Sequence, residues 1–274
     1  MGRIGRSFQL VGQSYRILMQ DKGLMVLPLI SGTFIAAAMV ALGFGFGIDT
    51  AHIERHGADT YLPLFLMYVV SYAIGIFFQA AVVAGATERM RGGDPTIGSA
   101  LGAAGRRIGP ILMWAVVAAT VGVALRAIQD RVGFLGKIVA SLIGAAWSLA
   151  TFFIVPVLVL EEASTPDSFR RSLGLFRKTW GETVVGGTTL GAAGVCAWVT
   201  LVAITGLLSM VIGVAAVAVF AAGAIFLMIF FSALQGVYVA SLYRFATDGG
   251  DTPGLDRELM TRAFVPKQQA RRLI

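Results

Sequence analysis

The sequence predicts an all-α polytopic membrane protein: six transmembrane helices forming three hairpins, each preceded by an amphipathic interfacial helix. Three observations carry this expectation. Of 274 residues, 57% are hydrophobic and only 14% charged, about half the charged share of a soluble domain. The charges are not scattered but separate uncharged stretches long enough for the ~20 residues that cross a hydrocarbon core of ~30 Å. Finally, Lys and Arg fall almost entirely in alternate connecting segments, the pattern that orients a chain in a bilayer.

The amphipathic head before Leu24 is too long for the basic segment of a signal peptide, so Leu24–Ile48 reads as a retained span. Residues 61–87, 108–126 and 138–160 follow as spans two to four. From Thr183 to Tyr243 there is no charge at all, and a turn within Gly206–Gly213 divides the stretch into spans 183–205 and 214–243. Residues 1–246 thus form one membrane domain and 247–274 a short cytoplasmic tail. Pro156 should kink the fourth span, because it removes a backbone hydrogen bond.

With the N-terminus inside, only Arg55, Arg126, Arg131 and Lys137 of the 22 basic residues fall outside. Both termini are therefore expected in the cytoplasm, with the plasma membrane (the bacterial inner membrane) as the location.

A segment with one apolar face leads each pair of spans. Ile4, Phe8, Val11, Tyr15 and Leu18 recur at helical spacing. Ser168-Phe169 and Phe176-Arg177 repeat the spacing of Ser7-Phe8 and Tyr15-Arg16, and residues 97–107 form the weakest copy. Asp94-Pro95 and Thr165-Pro166 read as helix starts, a capping residue before a proline. The even spans also share a Phe-Phe pair, at 77–78, 152–153 and 230–231. The pattern is one of three units inserted the same way round.

Gly2-Arg3-Ile4-Gly5-Arg6-Ser7-Phe8, Ser168-Phe169-Arg170-Arg171-Ser172 and Arg177-Lys178-Thr179-Trp180-Gly181-Glu182 carry a family resemblance. The chain resembles an uncharacterised family of six-helix integral membrane proteins of bacteria and archaea. More remotely it is similar to the membrane domain of some glycerophosphodiester phosphodiesterases. The resemblance implies topology and lends no catalytic residue, since the spans leave no length for a soluble catalytic barrel.

Function is sought in the polar groups that remain. The net charge of +7 is clustered at the ends of apolar runs, which fits membrane lipids as partners and argues against nucleic acid. Arg6, Arg16, Arg106, Arg107, Arg170, Arg171 and Arg177 are the candidates for contact with lipid phosphate. Glu88, Glu161 and Glu162 sit at the exits of spans two and four, either to pair with arginines of the interfacial helices or simply to be solvated. Gln79, Thr188, Gln235 and Tyr238 are the candidates for lining a cavity; their alternative role is to join helices by hydrogen bonds.

His52 and His56 stand one helical turn apart in the first outer loop, and no further His or Cys completes a metal shell there. The single Cys196 forms no disulfide within the chain. With no charged group at mid-depth in any span, neither proton-coupled transport nor catalysis is expected. The reading is a non-catalytic structural or regulatory membrane component touching anionic lipid, without cofactor or metal. A permease or channel-like carrier for a neutral or amphiphilic solute, including a lipid, is the alternative.

Overall fold

The computed structural model describes residue 12 and residues 14–47, 58–161 and 163–248. Arg6, His52, His56, Glu162 and the tail beyond 248 lie outside the described residues, as do Ile4, Phe8 and Val11. The described chain is helical, with no strand among the described residues. In order, the helices are α1 (Val26–Gly45), α2 (Ala58–Met90), α3 (Ile97–Gly105), α4 (Ile108–Arg131), α5 (Phe134–Ala150), α6 (Ile154–Leu160), α7 (Thr165–Ile212) and α8 (Ala215–Asp248). Among the described residues six helical stretches are long and apolar enough to cross a membrane: Lys22–Gly45, Leu62–Met90, Ile108–Arg131, Phe134–Leu160, Thr183–Ile212 and Ala215–Arg244.

Several boundaries differ from the sequence expectation. Gly206 stays inside α7, and the connection to α8 narrows to Gly213 and Val214, with Gly213 at φ 56°. That left-handed conformation favours glycine, which is why the turn sits there. The cap of α7 is Ser164, not Thr165. Its hydroxyl accepts from the Asp167 N–H at 3.4 Å and also bonds to the Asp167 carboxylate. Thr165 instead donates to the Pro110 carbonyl at 3.5 Å. Asp94 does not cap α3, since its carboxylate pairs with Arg89 at 3.0 Å and the helix begins at Ile97. Finally, the third amphipathic segment does not stop before span five, because α7 runs unbroken over 48 residues. At 1.5 Å per residue that is ~72 Å, more than twice the hydrocarbon core, so the segment before Thr183 lies beyond it.

The chain divides into two compact units. One comprises Leu27–Ala84 and Gly98–Phe176. Its core is Leu27, Phe78, Ala80–Val83, Ile111, Trp114 and Phe153–Leu158. Phe34 meets Phe78 and Ser71 donates to the Met39 sulfur, joining α1 to α2. Trp114 stacks on Trp147 at 5.7 Å between centroids, and Phe169 stacks on both. Those rings join α4, α5 and the start of α7 through broad apolar faces.

The other unit comprises Met1–Val26, Gly85–Ile97 and Arg177–Ile274. Its core holds Ile17, Leu18, Leu24, Met90 and Ala233–Arg244, apart from Gln235. Tyr15, expected on the apolar face of the first segment, is exposed and meets the edge of Phe230, while Ile17 and Leu18 are buried. Along α7 and α8 the close contacts pair Gly186 with Tyr238, Gly194 with Phe231 and Leu201 with Gly223. One number rises as the other falls, so the two helices run antiparallel. Glycines on both helices accept large side chains of the other, the packing hydrocarbon favours. Gly187 and Gly191 have open space beside them, as do Gly43 and Gly47.

Candidate functional site

The fourth span breaks where Pro156 dictates. Proline has no N–H to offer the carbonyl four residues back, and its ring crowds that turn. The helix accordingly stops at Ala150 and restarts at Ile154, freeing backbone groups at a depth where water cannot pair them. Ser172 of α7 fills the gap. Its hydroxyl donates to the Ala150 carbonyl at 2.8 Å and accepts the Phe153 N–H at 3.1 Å. Thr151 closes the last turn by donating to Trp147 at 2.9 Å. The kink is legible from Pro156 alone, but the serine is not. Pro156 announces a freed carbonyl, yet no sequence spacing shows which distant hydroxyl arrives.

The short helix after the break ends at an arginine that immediately precedes the third span. Arg107 donates through Nε to the Leu158 carbonyl and through Nη2 to the Ala163 carbonyl, each at 2.8 Å. A guanidinium at the carboxyl end of a helix satisfies orphan carbonyls and opposes their partial negative charge. Beside it, Arg171 Nε reaches both oxygens of Glu161 at 3.0 and 3.1 Å. The pairing of a glutamate at the exit of span four with an arginine of α7 is thus present. Together these bonds fix the elbow between α6 and α7.

The candidate arginines therefore divide into two kinds. Arg107 and Arg171 are engaged within the protein. Arg16, Arg106, Arg170 and Arg177 are exposed, and their side chains have neither ion pair nor hydrogen bond among the described residues. Arg106 adjoins Arg107 in sequence and Arg170 adjoins Arg171, so each arginine of the elbow has an exposed arginine as its neighbour along the chain.

The four cavity candidates are dispersed in role. Gln79 is half-buried in α2. Thr188 is exposed and donates to the Val184 carbonyl of its own helix at 2.7 Å. Tyr238 is buried with its hydroxyl over Gly186, where an added Cβ would lie only 1.7 Å from the oxygen. Gln235 is exposed on α8.

Residues 58–253 match a family of unknown function, DUF6159, and the chain belongs to that family. No curated protein matches the sequence.

Proposed function

We propose that this member of the family is a non-catalytic, multi-pass component of the bacterial plasma membrane that holds anionic lipid headgroups at its cytoplasmic face. The observation that carries the reading is the division of labour at the elbow. Arg107 and Arg171 fix its geometry, while Arg106 and Arg170 are exposed and without an internal partner among the described residues. At the end of an apolar span the nearest abundant anion is a lipid phosphate, which a guanidinium binds through paired N–H groups. Each such arginine near an anionic leaflet contributes ~1 kcal/mol of attraction.

The same reading takes the six spans as three hairpins inserted the same way round. It places both termini in the cytoplasm, on the distribution of Lys and Arg. Contacts within α1/α2, α4/α5 and α7/α8 support the hairpins. The resemblance to phosphodiesterase membrane domains enters only through this topology. Tyr238 packed on Gly186 favours a joining role for that side chain over a carrier pathway, while the Thr188 hydroxyl is taken up by its own helix.

The test is lipid retention. Protein extracted from vesicles of phosphatidylcholine with graded phosphatidylglycerol is weighed by native mass spectrometry with its bound lipid. Arg106→Gln combined with Arg170→Gln should weaken phosphatidylglycerol retention about tenfold or more, from the loss of two charge contacts. Equal retention by the variant and the parent would overturn the proposal.

A further inference from the structure

Within the apolar stretch Thr183–Arg244, six Ser and Thr hydroxyls follow one rule. Those of Thr188, Thr189, Thr200, Thr205, Ser209 and Ser241 each donate to a carbonyl about one turn back in the same helix. Such bonds hide a polar group from hydrocarbon without any partner helix. Ser232 and Gln235 break the rule. Both are exposed, and neither side chain has a hydrogen bond among the described residues.

Depth makes this consequential. Gln235 stands nine residues before Arg244 and twenty after Ala215, which is about 14 Å and about 30 Å of helix respectively. The span Ala215–Arg244 is centred near residue 230, so in a hydrocarbon core of ~30 Å the amide lies about 8 Å to the Arg244 side of the middle, still inside the core, where acyl chains offer neither donor nor acceptor. Something carrying both must meet it.

The surroundings on α8 indicate what. Ala218, Ala221, Ile225, Met228, Ser232 and Gln235 are all exposed and recur at steps of three, four, three, four and three. That is the spacing of a seam between two helices packed side by side. Ala218, Ala221 and Ser232 are small enough for close approach. A primary amide is both donor and acceptor, so it is complementary to itself. Two copies of one chain insert the same way round, which makes their α8 helices parallel and brings each Gln235 to the depth of its counterpart. A two-fold axis along the membrane normal then sets residue against identical residue.

We propose that α8 is a self-association surface. A second copy of this chain packs along this seam, and the two Gln235 amides exchange hydrogen bonds flanked by the Ser232 hydroxyls. A single polar position in an apolar seam fixes register as well as adding affinity. The inference is independent of the lipid reading above and uses none of its residues.

The experiment measures association of the full chain in phosphatidylcholine vesicles, by energy transfer between labelled copies over a range of protein-to-lipid ratios. The parent should self-associate. Gln235→Leu, which keeps the size and removes the amide, should weaken association about tenfold for two lost interhelical bonds, while Gln235→Asn should retain most of it. A parent that stays monomeric throughout would overturn the proposal. So would a Gln235→Leu variant that associates normally or that loses only thermal stability, since either places the amide's partner elsewhere.

Disulfide trapping in a Cys196→Ala background gives a second measure that is independent of these variants. Ala221→Cys should trap a dimer, and Ala216→Cys, on the face buried within its own chain, should not. Equal trapping at both positions would also defeat the seam.

Discussion

Between Ala150 and Phe176 the helices are joined by hydrogen bonds and charge, whereas between Thr183 and Arg244 they are joined by shape. In the first region Pro156 interrupts a span, and side chains meet backbone groups nearby: Ser172 bonds Ala150 and Phe153 at the break, and Arg107 bonds Leu158 and Ala163 at the end of α6. In the second, α7 and α8 run unbroken, so their backbones are self-satisfied. Nothing polar is needed there, and contact rests on Gly186, Gly194 and Gly223 receiving Tyr238, Phe231 and Leu201. The difference teaches that, between these two regions, the joint made by hydrogen bonds and charge is the one beside a helix interruption. Where the backbone needs no help, small residues suffice.

The comparison is broken most severely at Arg107. Arg107→Ala removes two charge-assisted bonds and leaves two carbonyls of the elbow unpaired, an expected loss of about 3 kcal/mol. Arg107→Lys should recover less than half of it, because an ammonium lacks the fork that spans both oxygens. Unfolding by steric trapping in bicelles measures this, and a loss below about 1 kcal/mol for Arg107→Ala would refute the capping role.

Next in size is Gly186→Ala. The new Cβ would lie 1.7 Å from the Tyr238 oxygen and 2.8 Å from Cζ, so the helices must shift, at about 2 kcal/mol. Tyr238→Phe removes the nearer of these atoms and should rescue part of the loss in a double-mutant cycle. Additive effects would show that the two residues do not meet. Gly187→Ala and Gly191→Ala, with open space beside them, are the matched controls and should stay near neutral.

The smallest effect sharpens the reason for the polar joint. Ser172→Ala should cost about 1 kcal/mol through the unpaired groups at the break. In a Pro156→Ala background the helix can close on itself, since an alanine N–H is available to the Phe152 carbonyl. Ser172→Ala should then cost less than it does alone. Equal costs in both backgrounds would mean that the serine serves packing and not the break.

The sequence was most legible where physics is local. The six spans, the paired Glu161 and Arg171, and the break near Pro156 all follow from residue type and spacing. Caps were legible only approximately: Ser164 took the role assigned to Thr165, because a hydroxyl just outside the helix reaches the third N–H better than one inside. The arginines looked alike in sequence, and all were expected at lipid. Their division into scaffold and exposed groups depends on which carbonyls lie within reach. The same holds for glycine, where Gly186 proved to be the tight contact and Gly187 did not. One position along a helix turns a residue by about 100°.

What the sequence by itself determined is the solvent: runs of apolar residues bounded by basic clusters leave a bilayer as the only medium that suits them. Only the tertiary structure decided which polar groups are consumed inside the protein and which stay open to a partner. Span formation depends on composition within one helix. Pairing Arg107 with Leu158 and Ala163, or leaving Arg106 and Gln235 exposed, depends on helices far apart in the chain coming into register. No local pattern encodes that register.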